Sequence, residues 1–302
     1  MTESKAHIYQ PKGDLIVEGP DAAHFLQGQF SQDLRVSAGS MVYGLWLDAK
    51  GKIQADSFLL KESEDRFRAI SYFSPTSLMQ ENLEKRIIMD EVETRTSESL
   101  ATGVSLWGKA IEMGLDLLKI DEPEPERISM GPSRAAFWGR RSEEPNVEVV
   151  LMTEKNEIQL LLEKLEDKKI SILNTEDVAV AALKDRRFQV GKDVVAADLP
   201  QETGLSEDGV SHQKGCYIGQ EVMARLNSMG IARKSLQCVT VSNTPKGEGP
   251  WELIDDEGRK AGELRRVLGY KSELIGSAMV KHSLDGAVSF SVAGQSEIKV
   301  FR

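Results

Sequence analysis

SLQCVTV, residues 235–241, is where the chain changes character. Apolar and polar side chains alternate there with the two-residue period of a half-buried strand. WELIDDEG (251–258), AGELRRVL (261–268), LIGSAMV (274–280), AVSFSV (287–292) and IKVF (298–301) repeat such short runs between turn residues. That pattern is the signature of a small barrel or sandwich, so residues 235–302 are expected to form a separate all-β unit. Cys238 alternates with apolar neighbours and is assigned to its core.

Upstream the pattern is mixed. DLIVEG (14–19) reads as a strand, and Asp21 is expected to cap a helix carrying Phe25, Leu26 and Phe30 on one face. YGLWLD (43–48), the DAKGK turn and IQADSFLL (53–60) read as a β-hairpin. FRAISYF (67–73) is a further strand, with Pro75 opening a helix to about Arg86. TGVSLW (102–107) is followed by a helix over about 109–118, and the acidic, proline-rich DEPEPERISMGP (121–132) reads as an exposed loop. Strands near 134–139 and 147–152, a helix over 154–167 and another capped by Thr175 complete the series. Hairpins outnumber parallel crossovers, which favours split α+β layers over a doubly wound sheet. The expected units are 1–120, interleaving with the second, then 121–234, and the β unit 235–302.

With 302 residues, 40% apolar and 28% charged, the composition is that of a soluble multi-unit protein. MTESKAHIYQPKG has no apolar core of the signal-peptide kind, and no stretch is apolar enough to span a membrane. Two cysteines exclude a disulfide framework and point to reduced thiols in the cytoplasm. A net charge of −10 disfavours stable nucleic-acid binding. From His212 to Lys234, however, Lys214, Arg225, Arg233 and Lys234 are accompanied only by Glu221, a local net of +3 that suits either a small anionic ligand or a solvated face. GVSLWGKA (103–110) has phosphate-loop spacing but puts Ala110 where magnesium needs a hydroxyl, and its apolar interior reads as a strand.

Cys216 lies in this basic stretch, inside HQKGCYIGQEVMAR (212–225). Gly215 and Gly219 permit turns and close approaches that other residues do not. Lys214, Arg225 and the first amides of a helix starting near Gly219 would all favour a thiolate. A buried, inert cysteine in a tight turn is the other reading of the same residues. Just before it, Glu202 in PQETGL (200–205) stands on a loop where a carboxylate can accept paired hydrogen bonds from an amidine-like edge such as a pterin ring, or simply be solvated.

KGCYIGQE (214–221), with Arg225 four residues on, resembles the signature of the YgfZ family of folate-binding proteins, relatives of the glycine-cleavage T-protein, an aminomethyltransferase. FLQGQFSQDL (25–34), YGLWLDAKGKIQADSFLL (43–60) and RFQVGKDVVAADLPQETGL (187–205) are similar to that family's early helix, hairpin and pre-signature stretch. The resemblance implies an α+β fold of T-protein type, with two ferredoxin-like layers and a C-terminal β-barrel around a central folate cavity. It implies tetrahydrofolate or a derivative as ligand, with Glu202 on the pterin and Lys214, Tyr217 and Arg225 also at the ligand or the thiol. Gly215, Ile218, Gly219, Gln220 and Glu221 complete the motif, the last two ordering the turn or the next helix. It also implies a reactive Cys216 that serves in assembly or repair of iron–sulfur client enzymes, including those that thiolate tRNA. T-proteins carry an aspartate near their methylene-transfer centre, whereas AISYFSPTSLMQENLEK (69–85) has none, which disfavours aminomethyl transfer. A folate-dependent aminomethyltransferase and a non-catalytic folate-binding scaffold are the alternatives.

Overall fold

The computed structural model describes residues 4–96, 101–131, 133–151, 155–230, 232–284 and 289–302. Parts of four expected segments (position 132, the ends of a strand and a helix at 152–154, and the start of AVSFSV at 287–288) lie outside the described residues.

Strand β1 (Lys5–Tyr9) crosses at once to a sheet built mainly later in the chain. The next five, β2 (Gly13–Glu18), β3 (Ser40–Leu47), β4 (Ile53–Ser63), β5 (Arg66–Ser71) and β6 (Glu93–Thr96), form an antiparallel sheet in the order β3-β4-β5-β2-β6. Helices α1 (Ala22–Gln29) and α2 (Thr76–Glu84) belong to this unit, and Phe25, Leu26 and Phe30 pack on Trp46 and Phe67 in its core. Asp21 does not cap α1 with its side chain; its carboxylate accepts from the Glu91 amide and ties in the loop before β6.

The second sheet joins β1 to β7 (Thr102–Trp107), β8 (Ser129–Gly131), β9 (Arg134–Trp138), β10 (Asn146–Leu151) and β11 (Ser171–Ile172), in the order β11-β1-β7-β10-β9-β8. β7 pairs antiparallel with β1, and Gly103 makes this possible, since a Cβ there would lie 2.2 Å from the Tyr9 ring. β1 and β7, from the first 120 residues, thus share a sheet with strands of 129–172. Part of the segment 121–132 read as loop is β8, paired with β9. α3 (Ala110–Leu118) and α4 (Lys155–Asp167) cover this sheet with Leu115, Leu118, Leu161 and Leu165 in its core. α5 (Thr175–Lys184) is capped by Asn174, whose side chain accepts from the Asp177 amide, and Thr175 is its first residue rather than its cap.

Two one-turn helices follow, α6 (Pro200–Thr203) and α7 (Ser206–Gly209), then α8 (Gln220–Met229). β12 (Lys234–Val241), β13 (Trp251–Ile254), β14 (Lys260–Tyr270), β15 (Glu273–Lys281), β16 (Ser289–Val292) and β17 (Gln295–Phe301) close a six-stranded barrel in the order β12-β15-β14-β13-β16-β17. Along β12 the alternation sends Val239 and Val241 into the barrel core and Leu236 and Cys238 outward. Cys238 is therefore not a barrel-core residue. It belongs to a cluster with Leu45, Leu183, Tyr217 and Met223 that packs the hairpin, α5, the motif and the barrel together.

Candidate functional site

Cys216 is exposed, and its neighbours are fixed on both sides. Lys214 is buried, and its ammonium donates to the carbonyl oxygens of Gln27, Phe30 and Gln32 at 2.7, 2.6 and 3.0 Å. A lysine closing the last carbonyls of a helix is a C-terminal cap, here of α1. Burial pulls its pKa down to about 8, with the charge of Asp33 opposing the shift. Tyr217 is buried in the inter-unit cluster, and burial alone pushes its phenol up to about 12. The Ile218 amide donates to Gly28 O at 3.1 Å, and Gly219, at φ +85°, lies flat against the hairpin turn. A Cβ on Gly219 would stand 2.8 Å from Asp48 O and 2.9 Å from Gly51 Cα. KGCYIG and DAKGK, distant in sequence, thus form one packed joint, and α8 starts from it.

Two of the four cations expected around the thiol are committed elsewhere. Lys214 is committed to carbonyls, and Lys234 lies 3.4 Å from Glu202 and 3.6 Å from Asp198. Arg225 and Arg233 are exposed on the surface. The ammonium of Lys214 points into α1 and so does not hold a thiolate or a ligand tail. Gln220 reaches back to the Lys214 carbonyl at 3.4 Å, ordering the turn, while Glu221 is exposed in the first turn of α8.

Glu202 lies elsewhere, on the wall of a cavity of about 700 Å³ between the loop after α5, helices α6 and α7, and strand β12. That volume is within the usual range for small-molecule sites. Glu202 is 8% exposed; its Oε2 accepts from the Leu199 amide at 3.1 Å and faces Lys234, while Oε1 has no hydrogen-bond partner among the described residues. The neighbouring Gln201 donates through Nε2 to the Met223 sulfur at 3.4 Å, and its Oε1 is buried with no partner among the described residues. Cys238 lines the same cavity, and burial, the largest influence, raises its thiol pKa. Two neighbouring residues of the lining, Gln201 and Glu202, thus each carry an oxygen without a donor among the described residues.

A second cavity, of about 860 Å³, opens between the hairpin and the loops of β8 and β9. Asp208 lines both. Between them is a narrow chamber of about 20 Å³, bordered by Asp56, Arg140, Arg141 and Arg187. Asp56 is buried; its Oδ1 accepts from the hydroxyls of Ser71 and Ser74 and its Oδ2 from Tyr43. Burial raises its pKa, the hydroxyl donors opposing. Behind the chamber, fully buried Glu148 accepts from Tyr9, Tyr72, Ser105, Asn146 and Arg141. The Arg141 guanidinium lies over the Tyr9 and Tyr72 rings at 4.0 and 3.8 Å.

Sequence reading found Glu202 and Cys216 but not this charged interior. Asp56 was visible as a lone acid inside the apolar strand IQADSFLL, and the arginines as the doublets at 140–141 and 186–187. Two of the three hydroxyls that hold Asp56, those of Ser71 and Ser74, come from the same stretch 69–85 that lacks an aspartate of its own.

Two sheets, a closed barrel and cavities at their junction define the class. The chain has the T-protein fold: it superposes on the crystal structure of glycine cleavage system aminomethyltransferase T from Bartonella henselae with a TM-score of 0.81, over 99% of this chain and 85% of that one, at 17% identity. The GCVT N-terminal domain family matches residues 9–117. Along most of its length the chain is similar to proteins named tRNA-modifying protein YgfZ. That of Photobacterium profundum is 25% identical over 300 residues, covering 94% of this chain and 86% of the relative. That of Escherichia coli O157:H7 is 24% identical over 256 residues, covering 82% and 76%. The resemblance read from KGCYIGQE, and the fold it implied, are thus borne out. No helix among the described residues is long and apolar enough to cross a membrane.

Proposed function

We propose that the protein binds tetrahydrofolate or a derivative in the cavity walled by Gln201 and Glu202, and that Cys216 serves as an exposed thiol in assembly or repair of iron–sulfur enzymes, including enzymes that modify tRNA. The observation that carries the folate reading is the acceptor pair: Gln201 Oε1, buried without a partner among the described residues, beside the Glu202 carboxylate. The amino-pyrimidinone edge of a pterin offers adjacent N–H donors, and a carboxylate accepting two of them gives a charge-assisted, oriented contact. The cavity is large enough for the pterin and the aromatic ring that follows it. The cellular role draws support from the relatives named tRNA-modifying proteins and from the exposure of Cys216 between two fixed neighbours. Clients would meet the thiol transiently, in the cytoplasm.

Titration with 5-formyltetrahydrofolate tests the ligand. Glu202→Ala should weaken binding by at least tenfold, since a hydrogen bond to a charged group contributes about 1.5–3 kcal/mol. Binding indifferent to that change would remove the pterin assignment. A second reading, folate-dependent aminomethyl transfer, draws on Asp56, a carboxyl beside the cavities that the sequence did not place there. Its carboxylate is already engaged by three hydroxyl groups in a chamber with room for little more than a water, which favours binding without transfer. Methylene transfer from an aminomethyl carrier to tetrahydrofolate, abolished by Asp56→Asn, would reverse that preference.

A further inference from the structure

Ile88 and Met89, neighbours in the loop between α2 and β6, are 84% and 92% exposed, more than any other large hydrophobic among the described residues. The loop is held on either side of them. Before the pair, the Arg86 and Ile87 amides donate to Leu83 O at 2.8 and 3.2 Å. After it, the Glu91 amide donates to the Asp21 carboxylate at 2.8 Å, and Val92 is buried in the core. A single exposed apolar side chain is ordinary, but two adjacent ones on an anchored loop make a small apolar patch. This loop lies beside the motif joint. Arg86 Nη1 meets Gln29 Oε1 at 3.5 Å, and the carbonyl of the preceding Gly28 accepts the Ile218 amide. Arg86 also feels the charge of Asp48, the residue whose carbonyl packs against Gly219. Three residues of chain span at most about 11 Å, which keeps Ile88 and Met89 close to that contact. On a chain of net charge −10, Arg86, Lys50 and Arg225 have no ion-pair partner among the described residues. Lys50 and Arg225 are exposed, and they flank the contact of Val222 and Met223 with Gly51. The nearby acids leave these cations free: Asp48 accepts from the amides of Lys50 and Lys52, and Asp90 and Glu91 lie on the far side of the apolar pair.

We propose that Ile88 and Met89, together with Arg86, Lys50 and Arg225, form a docking surface for a client protein, engaging a segment that carries an apolar side chain beside carboxylates and bringing the client to Cys216. The choice of a client as partner rests on the reading of Cys216 as the thiol that clients meet. Charge complementarity selects the segment: unpaired cations on an otherwise acidic chain attract carboxylates, and the apolar pair supplies a contact from which water is excluded. A second copy of this chain fits less well, because it brings the same net charge of −10. RNA fits less well too, since Asp90 and Glu91 beside the apolar pair repel phosphates and neither Ile88 nor Met89 offers a ring on which a base can stack.

The test compares two double variants in cells lacking the protein: Ile88→Ser with Met89→Ser, which removes the apolar pair, and Lys50→Glu with Arg225→Glu, which reverses two surface charges. Each is expressed at the lowest level at which the parent restores tRNA thiolation. Each should lower thiolated-tRNA content at least about fivefold, because it removes one half of the docking contact. The purified apolar variant should keep the parent's melting temperature, its affinity for 5-formyltetrahydrofolate and its rate of Cys216 alkylation, since the changed side chains are exposed. Photoreactive benzoylphenylalanine at position 89 should crosslink in cells to a peptide of another protein rich in Asp and Glu, and Lys50→Glu with Arg225→Glu should abolish that adduct. Full thiolation with the apolar variant overturns the docking surface. So does the absence of an adduct, an adduct with a second copy of the chain or with RNA, or one indifferent to the charge reversal. If Cys216→Ser abolishes thiolation while both surface variants sustain it, the surface falls and the thiol reading stands. If the surface variants lose thiolation and the acidic adduct forms while Cys216→Ser sustains thiolation, the surface stands and the thiol reading falls.

Discussion

Replacing Lys214 with Met separates two roles that the sequence left joined. As a ligand or thiolate anchor, Lys214 would matter for binding and not for folding. As the cap of α1 it matters for stability, and the structure fixes the magnitude. Three carbonyls at 2.6–3.0 Å lose their donor. At ~1 kcal/mol net for each hydrogen bond, the loss is about 3 kcal/mol, reduced somewhat because methionine buries no charge, which leaves about 2–3 kcal/mol. An unfolding entropy of about 2.1 cal/mol/K per residue, over 302 residues, makes that a fall in melting temperature of about 4 °C. Calorimetry of Lys214→Met beside the parent reads it, and a titration with 5-formyltetrahydrofolate on the same samples should show little change in affinity. A melting temperature within a degree of the parent, together with lost folate affinity, would refute the capping role and restore Lys214 to the ligand.

Gly219→Ala should destabilise by about 2–4 kcal/mol in urea unfolding, because a left-handed residue acquires a Cβ against backbone atoms at 2.8 and 2.9 Å. Gly230→Ala, at φ +76° with nothing within 4 Å, should cost only about 1 kcal/mol and serves as its control. Glu148→Gln leaves the buried Arg141 charge without its counterion and should lower stability by about 3–5 kcal/mol. Timed alkylation read by mass spectrometry should modify exposed Cys216 ahead of half-buried Cys238, and saturating folate should slow Cys238 only. Equal protection of both thiols would mean that the ligand does not lie in the cavity lined by Gln201 and Glu202.

The elements were legible wherever local pattern and tertiary need coincide. The hairpin of residues 43–60 pairs as its alternation requires, and the all-β run after Ser235 closes into a barrel. Partition into sheets was less legible, because the pairing of β1 with β7 depends on Gly103 admitting the Tyr9 ring, a contact across 94 positions that no local pattern records. Lys214 was misread for a related reason. Beside a cysteine, a lysine reads as electrostatic activation, but its long stem carries the charge away, in this case into the end of α1. Asp56, Glu148 and Arg141 escaped notice because buried ionic networks draw their members from separate strands, and only the fold shows which hydroxyls and guanidinium groups neutralise which acid.

Cys216→Ser, introduced in place of the parent in cells lacking it, addresses the whole account most directly when thiolated-tRNA content is the readout and folate affinity is measured on the purified variant. Thiolation should fall to the level of cells without the protein, while folate binds as tightly as to the parent. Normal thiolation in those cells would contradict the account, since the exposed sulfur would then be dispensable.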